Sequence, residues 1–360
     1  MSESLLFSPT TVGPLSLRNR IVMAPMTRCR AVHANQANAL MAQYYAQRAT
    51  AGLIVTEGTA TSPNGAGYVR MPGIWSQEQV DAWKPVTKGV HDAGGHIVVQ
   101  LMHTGRVGHR HNLPKGAEVL APSAVAAPGE MYTDAAGMQA FAVPRAMTSS
   151  EVETARDEFV SAARNALAAG FDGVELHGAN GYLIEEFLSP VTNLRDDGWG
   201  GSVEKRLRFP LEVAQAVAQA IGGDRVGIRL SPYGASVGMT AYPEIDETYQ
   251  TLVARLVATG IQTVHLVDHS SMGAPEVPSA LKRALRLAWP RTFLVCGGFD
   301  RLSAEAELSE GRADLVGFGR PFIANPDFTT RLAKGLALTA ADGTTFYTSG
   351  PEGYTDYLTA

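Results

Sequence analysis

The chain has 360 residues, 45% of them hydrophobic, and its 30 Lys+Arg against 35 Asp+Glu give a formal net charge of −5 at pH 7. That is enough apolar chain for one large core or two ordinary ones, and the acidic balance offers no footprint for nucleic acid or an anionic membrane surface. The two cysteines, Cys29 and Cys296, are too few for a disulfide framework or a cysteine-rich metal site, and no leader or long apolar span is visible, so a soluble cytoplasmic protein is expected.

Short β-branched runs alternate with helical periodicity along the whole chain, which is the pattern of parallel strands joined by crossover helices. A strand is expected at 19–25 (NRIVMAP) and a helix at 41–50, then a strand at 53–58 (LIVTEG). The next helix runs from an N-cap at Ser76 to a stop at Gly94 and Gly95. The third strand is 96–103 (HIVVQLMH), and its helix comes only at 150–169. The remaining strands are expected at 173–177, 225–231, 263–268, 292–297 and 314–319, with helices at 204–221, 247–259, 278–288, 303–309 and 327–335. Eight such units, with strands apolar on both faces, predict an α/β fold: a (β/α)8 TIM barrel, as one domain over 1–360. An open doubly wound sheet is the alternative, but it would carry its phosphate-type glycines after the first strand, whereas here they come late. Two additions are expected, a hairpin at 5–18 that closes the bottom of the barrel, and an insertion at 104–148 that forms a lid or pocket wall.

Barrel chemistry gathers where the C-terminal ends of the strands converge. The polar residues there are Thr27, Gln100, His103, His177, Asn180, Tyr182, Arg229 and Arg320. In the run His177-Gly-Ala-Asn180-Gly-Tyr182, two neutral donors suit an oxygen on which negative charge develops, and a phenol delivers a proton without a metal. Arg229, inside a strand, needs an anionic or polar partner, either a cofactor or a carboxylate such as Glu175 on the neighbouring strand. The turns Cys296-Gly297-Gly298-Phe299 and Gly317-Phe318-Gly319-Arg320 suit a phosphate, or are merely tight turns. His103, His109 and His111 invite a metal, but no carboxylate stands at ligand spacing and HExxH is absent, so no metal is expected. GxSxG and P-loop motifs are absent as well.

The stretches NRIVMAPMTR, YYAQRATAGLIVTEG, VQLMHTGR, FDGVELHGANGYLIEEFLSPVTNLRDDGWGGSVEKRLRF, VGIRLSP and VGFGRPFIANPD, with the tail PEGYTDY, resemble in that order the old yellow enzyme family of FMN-dependent ene-reductases. The resemblance implies non-covalent FMN, reduced by NADPH or NADH. Pro25, Met26, Thr27 and Gly58 would line the isoalloxazine, with Thr27 on the flavin O4. Gln100 and Arg229 would meet the pyrimidine edge, and Gly297, Gly298, Phe299, Gly319 and Arg320 would hold the phosphate. His177 and Asn180 would hold the carbonyl or nitro oxygen of an activated alkene, an α,β-unsaturated aldehyde, ketone, maleimide or nitroalkene. Hydride would pass from flavin N5 to the β-carbon and a proton from Tyr182 to the α-carbon. Tyr68, Met102 and Tyr347 would border the substrate pocket. Met102 stands where many relatives have Trp, which reshapes that pocket. Gly58, often Ala in relatives, would leave extra room beside the flavin.

Other readings stay open at this point: a flavin-dependent nitroester or nitroaromatic reductase, or a metal-dependent barrel aldolase or hydrolase. A monomer or homodimer is expected, with no nucleic-acid or membrane partner.

Overall fold

The computed structural model describes residues 4–360; residues 1–3, part of the expected domain span and of the chain's opening, lie outside the described residues. Eight parallel strands close into a barrel. They are β1 (Ile21–Met23), β2 (Leu53–Ala60), β3 (Ile97–Met102), β4 (Gly173–Gly178), β5 (Val226–Leu230), β6 (Thr263–Val267), β7 (Thr292–Cys296) and β8 (Leu315–Phe318). Each pairs with its sequence neighbours, and β8 pairs with β1 to close the ring. The main outer helices are α1 (Ala39–Ala46), α2 (Gln77–Asp92), α3 (Ser149–Ala168), α4 (Arg208–Ile221), α5 (Ile245–Leu256), α6 (Ser279–Ala288), α7 (Arg301–Ser309) and α8 (Phe328–Lys334).

Strand alternation sorts the side chains into two sets. Ile54, Val99, Leu176, Ile228, Val264, Phe293 and Val316 join the large cluster beneath the helices. Residues of the other parity, Val22, Leu53, Val55, Val98, Leu294 and Leu315, fill the N-terminal end of the barrel. The antiparallel pair Thr10–Val12 and Leu15–Leu17 adds Val12 and Leu17 to that plug. Burying a side chain of this size is worth about 1.5–3 kcal/mol, so the plug holds the strands together from within.

Local rules account for several boundaries. Ser76 caps α2 in a capping box with Gln79, as its position predicts, and Thr148 with Glu151 does the same for α3. The expected helix at 204–221 is instead Val203–Arg206 followed by α4, with Leu207 at the junction. The first strand is shorter than expected; the second is longer, running on past a register slip against β3 between Val55 and Gly58 to Ala60.

The long insertion contains the hairpin Glu130–Thr133 and Gly137–Ala140 and a small parallel pair, Leu120–Ala121 with Arg145–Ala146. Glu186, on the short helix Leu183–Leu188, accepts the Arg106 N–H at its root (2.8 Å). Gly105 has φ +59°, and a Cβ there would run into the Glu186 carboxyl. The C-terminal tail is clamped to the loop after β1: Arg28 donates to the Phe346 and Gly353 carbonyls, Arg30 to those of Thr345, Phe346 and Glu352, and Tyr354 stacks on Tyr44 at 4.0 Å. The forked guanidinium suits this, since its several N–H groups saturate several buried carbonyls at once.

Candidate active site

A cavity of about 540 Å³ opens at the C-terminal ends of the strands, a size typical of small-molecule sites. A wider groove, about 880 Å³, lies between α3 and α4 on the outside of the barrel, where Arg156 pairs with Asp157 and Glu212. The cavity wall brings together most of the residues singled out in the sequence. Pro25, Met26 and Thr27 follow β1, Gln100 comes from β3, His177 stands at the end of β4 with Asn180 and Tyr182 just after it, and Arg229 comes from β5. Gly297, Gly298 and Phe299 follow β7, Gly319 and Arg320 follow β8, and Tyr347 of the tail lies at the rim, 59% exposed.

Three expected wall residues stand elsewhere. Tyr68 lies behind Tyr182, its phenol oxygen 3.0 Å from that of Tyr182. Met102 is buried in the same cluster, packed with Ala60, Ala66, Met71 and Val107. Gly58 was expected to leave extra room, and the room is taken: a Cβ on Gly58 would collide with Met102 Sδ. The flexible thioether folds back over the glycine, so the two positions act as one packing unit.

The floor of the cavity is a charged layer. Register places His177 beside Arg229 and Arg229 beside His265. Glu175 accepts from Gln100 Nε2 (2.8 Å) and pairs with His265 Nδ1 (2.7 Å). Burial alone would raise the Glu175 carboxyl, but His265, Arg229 and Gln100 together hold it below the usual range. Thus Glu175 stays ionised and answers part of the Arg229 charge, yet Arg229 Nε remains buried without a partner, as does His177 Nδ1. A buried polar atom without a partner is costly, so these two mark where a ligand's polar atoms belong.

The catalytic candidates keep their protons where neutral chemistry needs them. Burial, helped by Arg229, His265 and His269, holds His177 well below its ordinary range, so it is neutral. Burial pushes the Tyr182 phenol up to about 12, although the Tyr68 hydrogen bond pulls against it. Tyr182 is therefore protonated near neutral pH, edge-on to the His177 ring at 4.9 Å.

Beneath this layer, buried carboxylates hold the loops. Glu57 Oε2 accepts the backbone N–H groups of Arg28 and Cys29, which fixes the turn carrying Thr27. Glu185 accepts from Gly181 N, Ser231 Oγ and Tyr249 Oη, and Ser231 Oγ in turn accepts the Asn180 N–H. Asn180 sits at φ +62°, a left-handed conformation that asparagine tolerates.

His265, His269 and the supporting roles of Glu57 and Glu185 were missed in the sequence. Strand alternation from Arg229-type logic would have aimed His265 inward, but TVHLVD reads first as a plain apolar strand. The histidines that suggested a metal scatter: His103 Nδ1 accepts the Gly105 N–H inside a turn, while His109 and His111 lie on the insertion with rings 4.8 Å apart. Among the described residues, no three ligating side chains converge on a metal position, and no helix is long and apolar enough to cross a membrane.

Comparison with known proteins agrees with this layout. Residues 5–339 match the model of the NADH:flavin oxidoreductase / NADH oxidase family. Chanoclavine-I aldehyde reductase of Penicillium roqueforti is 41% identical over 365 residues, covering 98% of this chain and 95% of that protein. The structure of morphinone reductase superposes with a TM-score of 0.95 at 40% identity, covering 100% of this chain and 97% of the other. The old yellow enzyme homologue of Zymomonas mobilis does so at 0.93 and 40%, covering 98% and 99%. Family match, barrel and whole-length relatives coincide: the chain belongs to the NADH:flavin oxidoreductase / NADH oxidase family, the FMN-dependent oxidoreductases of the old yellow enzyme type.

Proposed function

We propose that this chain, acting as one domain, is an NAD(P)H-dependent ene-reductase that holds FMN in the strand-end cavity and reduces the activated C=C bond of α,β-unsaturated aldehydes, ketones, maleimides or nitroalkenes. One observation carries the reading: the Arg229 guanidinium, with its Nε unpartnered, faces the same cavity as the unpartnered His177 Nδ1, the Asn180 amide and the Tyr182 phenol.

The residues present fit the cofactor. Arg229 and Gln100 offer donors to an electron-rich ring edge, and Arg229 favours any negative charge gathered there. Thr27 offers a hydroxyl beside Pro25 and Met26. At the far end, Gly297 and Gly298 line the cavity; Gly298 lies at φ +82°, and a Cβ on it would meet the Ser271 side chain at 2.6 Å. With Phe299, Gly319 and the exposed Arg320 they suit a phosphate. Bound FMN, reduced by NADH or NADPH, supplies hydride to the alkene.

The side chains do the rest. His177 and Asn180 donate to the carbonyl or nitro oxygen, drawing electrons from the alkene and gripping harder as negative charge develops, which is the condition for lowering the barrier. Tyr182 donates the proton that completes reduction, and Tyr68 stands ready to donate to the oxygen left behind. Met102, packed under Tyr182 and over Gly58, shapes the pocket from behind its wall.

Purified protein should be yellow, bleach under NADPH or NADH without oxygen, and regain its colour when cyclohexenone is added. Colourless protein that takes up no added FMN overturns the reading.

A further inference from the structure

His269, on the loop after β6, lies in the cavity wall with its Nε2 2.6 Å from Asn180 Oδ1. Everything else about Asn180 is already fixed. Its backbone N–H is held by Ser231 Oγ at 2.9 Å, and the next N–H, of Gly181, by Glu185 Oε2 at 2.6 Å. What those bonds leave free is the amide plane, because a primary amide turned by 180° keeps its shape while exchanging an acceptor for a donor. Only a partner at the amide itself decides between the two.

We propose that His269 is a positioning residue: by donating from Nε2 to Asn180 Oδ1, it keeps the Asn180 NH2 group turned into the cavity, toward the substrate oxygen. This rests on the reading of Asn180 as an oxygen-binding donor. If Nε2 instead lacked its proton, it would accept from the amide NH2, and Oδ1 would face the substrate oxygen, acceptor against acceptor. The groups around His269 are Asp268, Arg229, His265, His177 and Arg320; burial first, then Arg229, pulls its ring down to about 4, and Asp268 opposes them. The ring is therefore neutral at pH 7 and carries one proton, whose place decides the amide. His269 comes from a different strand end than Asn180, so the device exists only in the closed barrel.

The test uses the FMN-loaded enzyme, reduced and then reoxidised by cyclohexenone in single-turnover stopped flow. His269→Leu should slow reoxidation about 10–100-fold. His269→Gln, whose amide NH2 can reach the place of Nε2, should recover most of that loss. In an Asn180→Ala background, His269→Leu should add less than about 2-fold, since the interaction is already gone. A readout independent of turnover is 15N NMR of histidine-labelled enzyme, in which the resonance lost in His269→Gln should report a neutral ring protonated on Nε2 at pH 7. A ring protonated on Nδ1 overturns the inference, and so does an equal loss with and without Asn180, or full-rate His269→Leu. Wild-type reduced enzyme that cyclohexenone does not oxidise defeats the proposed function and this inference together. Turnover that needs Asn180 but not His269 defeats this inference alone.

Discussion

The two ends of the barrel use the same strands for opposite purposes. On β3, Val98 belongs to the apolar plug and Gln100, two residues on, to the charged layer; on β7 the pair is Leu294 and Cys296; on β8 it is Leu315 and Gly317. At the plug end Val22, Leu53, Val55, Val98, Leu294 and Leu315 pack by apolar contact. At the mouth, inward groups are polar, some of their donors lack partners, and Glu57, Glu185 and Glu186 are buried beneath. Stability is therefore concentrated at one end and chemical potential at the other, as barrels with strand-end sites require.

Mutation should separate the two. The largest effect is expected at the mouth: Tyr182→Phe should slow cyclohexenone-driven reoxidation by about 10²–10⁴-fold while leaving the melting temperature near that of wild type. An equal loss in flavin reduction by nicotinamide would argue against Tyr182 as the proton donor. At the plug, Leu294→Ala should cost about 2–5 kcal/mol in chemical denaturation, with the flavin spectrum of the folded protein unchanged. A spectral shift there would mean that the ends are coupled.

Gly58→Ala sharpens the boundary between packing and chemistry. It should destabilise by about 1–3 kcal/mol through overpacking against Met102, and Met102→Ala in the same chain should recover part of that loss. Additive effects in the double variant would break the proposed packing unit.

The smallest effect is one of pH. Burial pushes Glu57 and Glu185 up to about 7 and Glu186 to about 8. Unfolded carboxyls titrate near 4.3, so between roughly pH 4.5 and 8 the native state holds more protons than the unfolded one. The contribution from these groups is fully present below the unfolded value and is lost as pH rises through the folded one, at up to about 1.4 kcal/mol per pH unit for each group. Glu186→Gln keeps the acceptor for the Arg106 N–H and should flatten part of that decline in a melting series from pH 5.5 to 8.5. An unchanged slope would show that Glu186 stays ionised, and no plug residue should alter it.

Much of this contrast is legible in the sequence. Alternation of apolar residues marks the strands, Ser76 and the glycine stops mark helix ends, and position at or after a strand end marks Thr27, His177, Asn180, Tyr182 and the late glycine turns. His265 and His269 were not legible, because their neighbours in sequence are apolar or loop-forming and their partners, Glu175 and Asn180, come from another strand. Met102 and Gly58 were each noticed, but alone: they stand 44 positions apart in the chain, and register brings β2 and β3 together.

By itself, then, the sequence determined the periodicity, the number of βα units and the chemical types available at the strand ends, since these follow from local spacing. Only the tertiary structure decided which of those groups meet. Closure of the barrel sets Arg229 between His177 and His265, gives Glu175 its partners and leaves Arg229 Nε without one. Hydrogen bonds and pKa shifts of that kind depend on distances between strands, on burial and on the charges across the cavity, and none of these is a property of neighbouring residues in the chain.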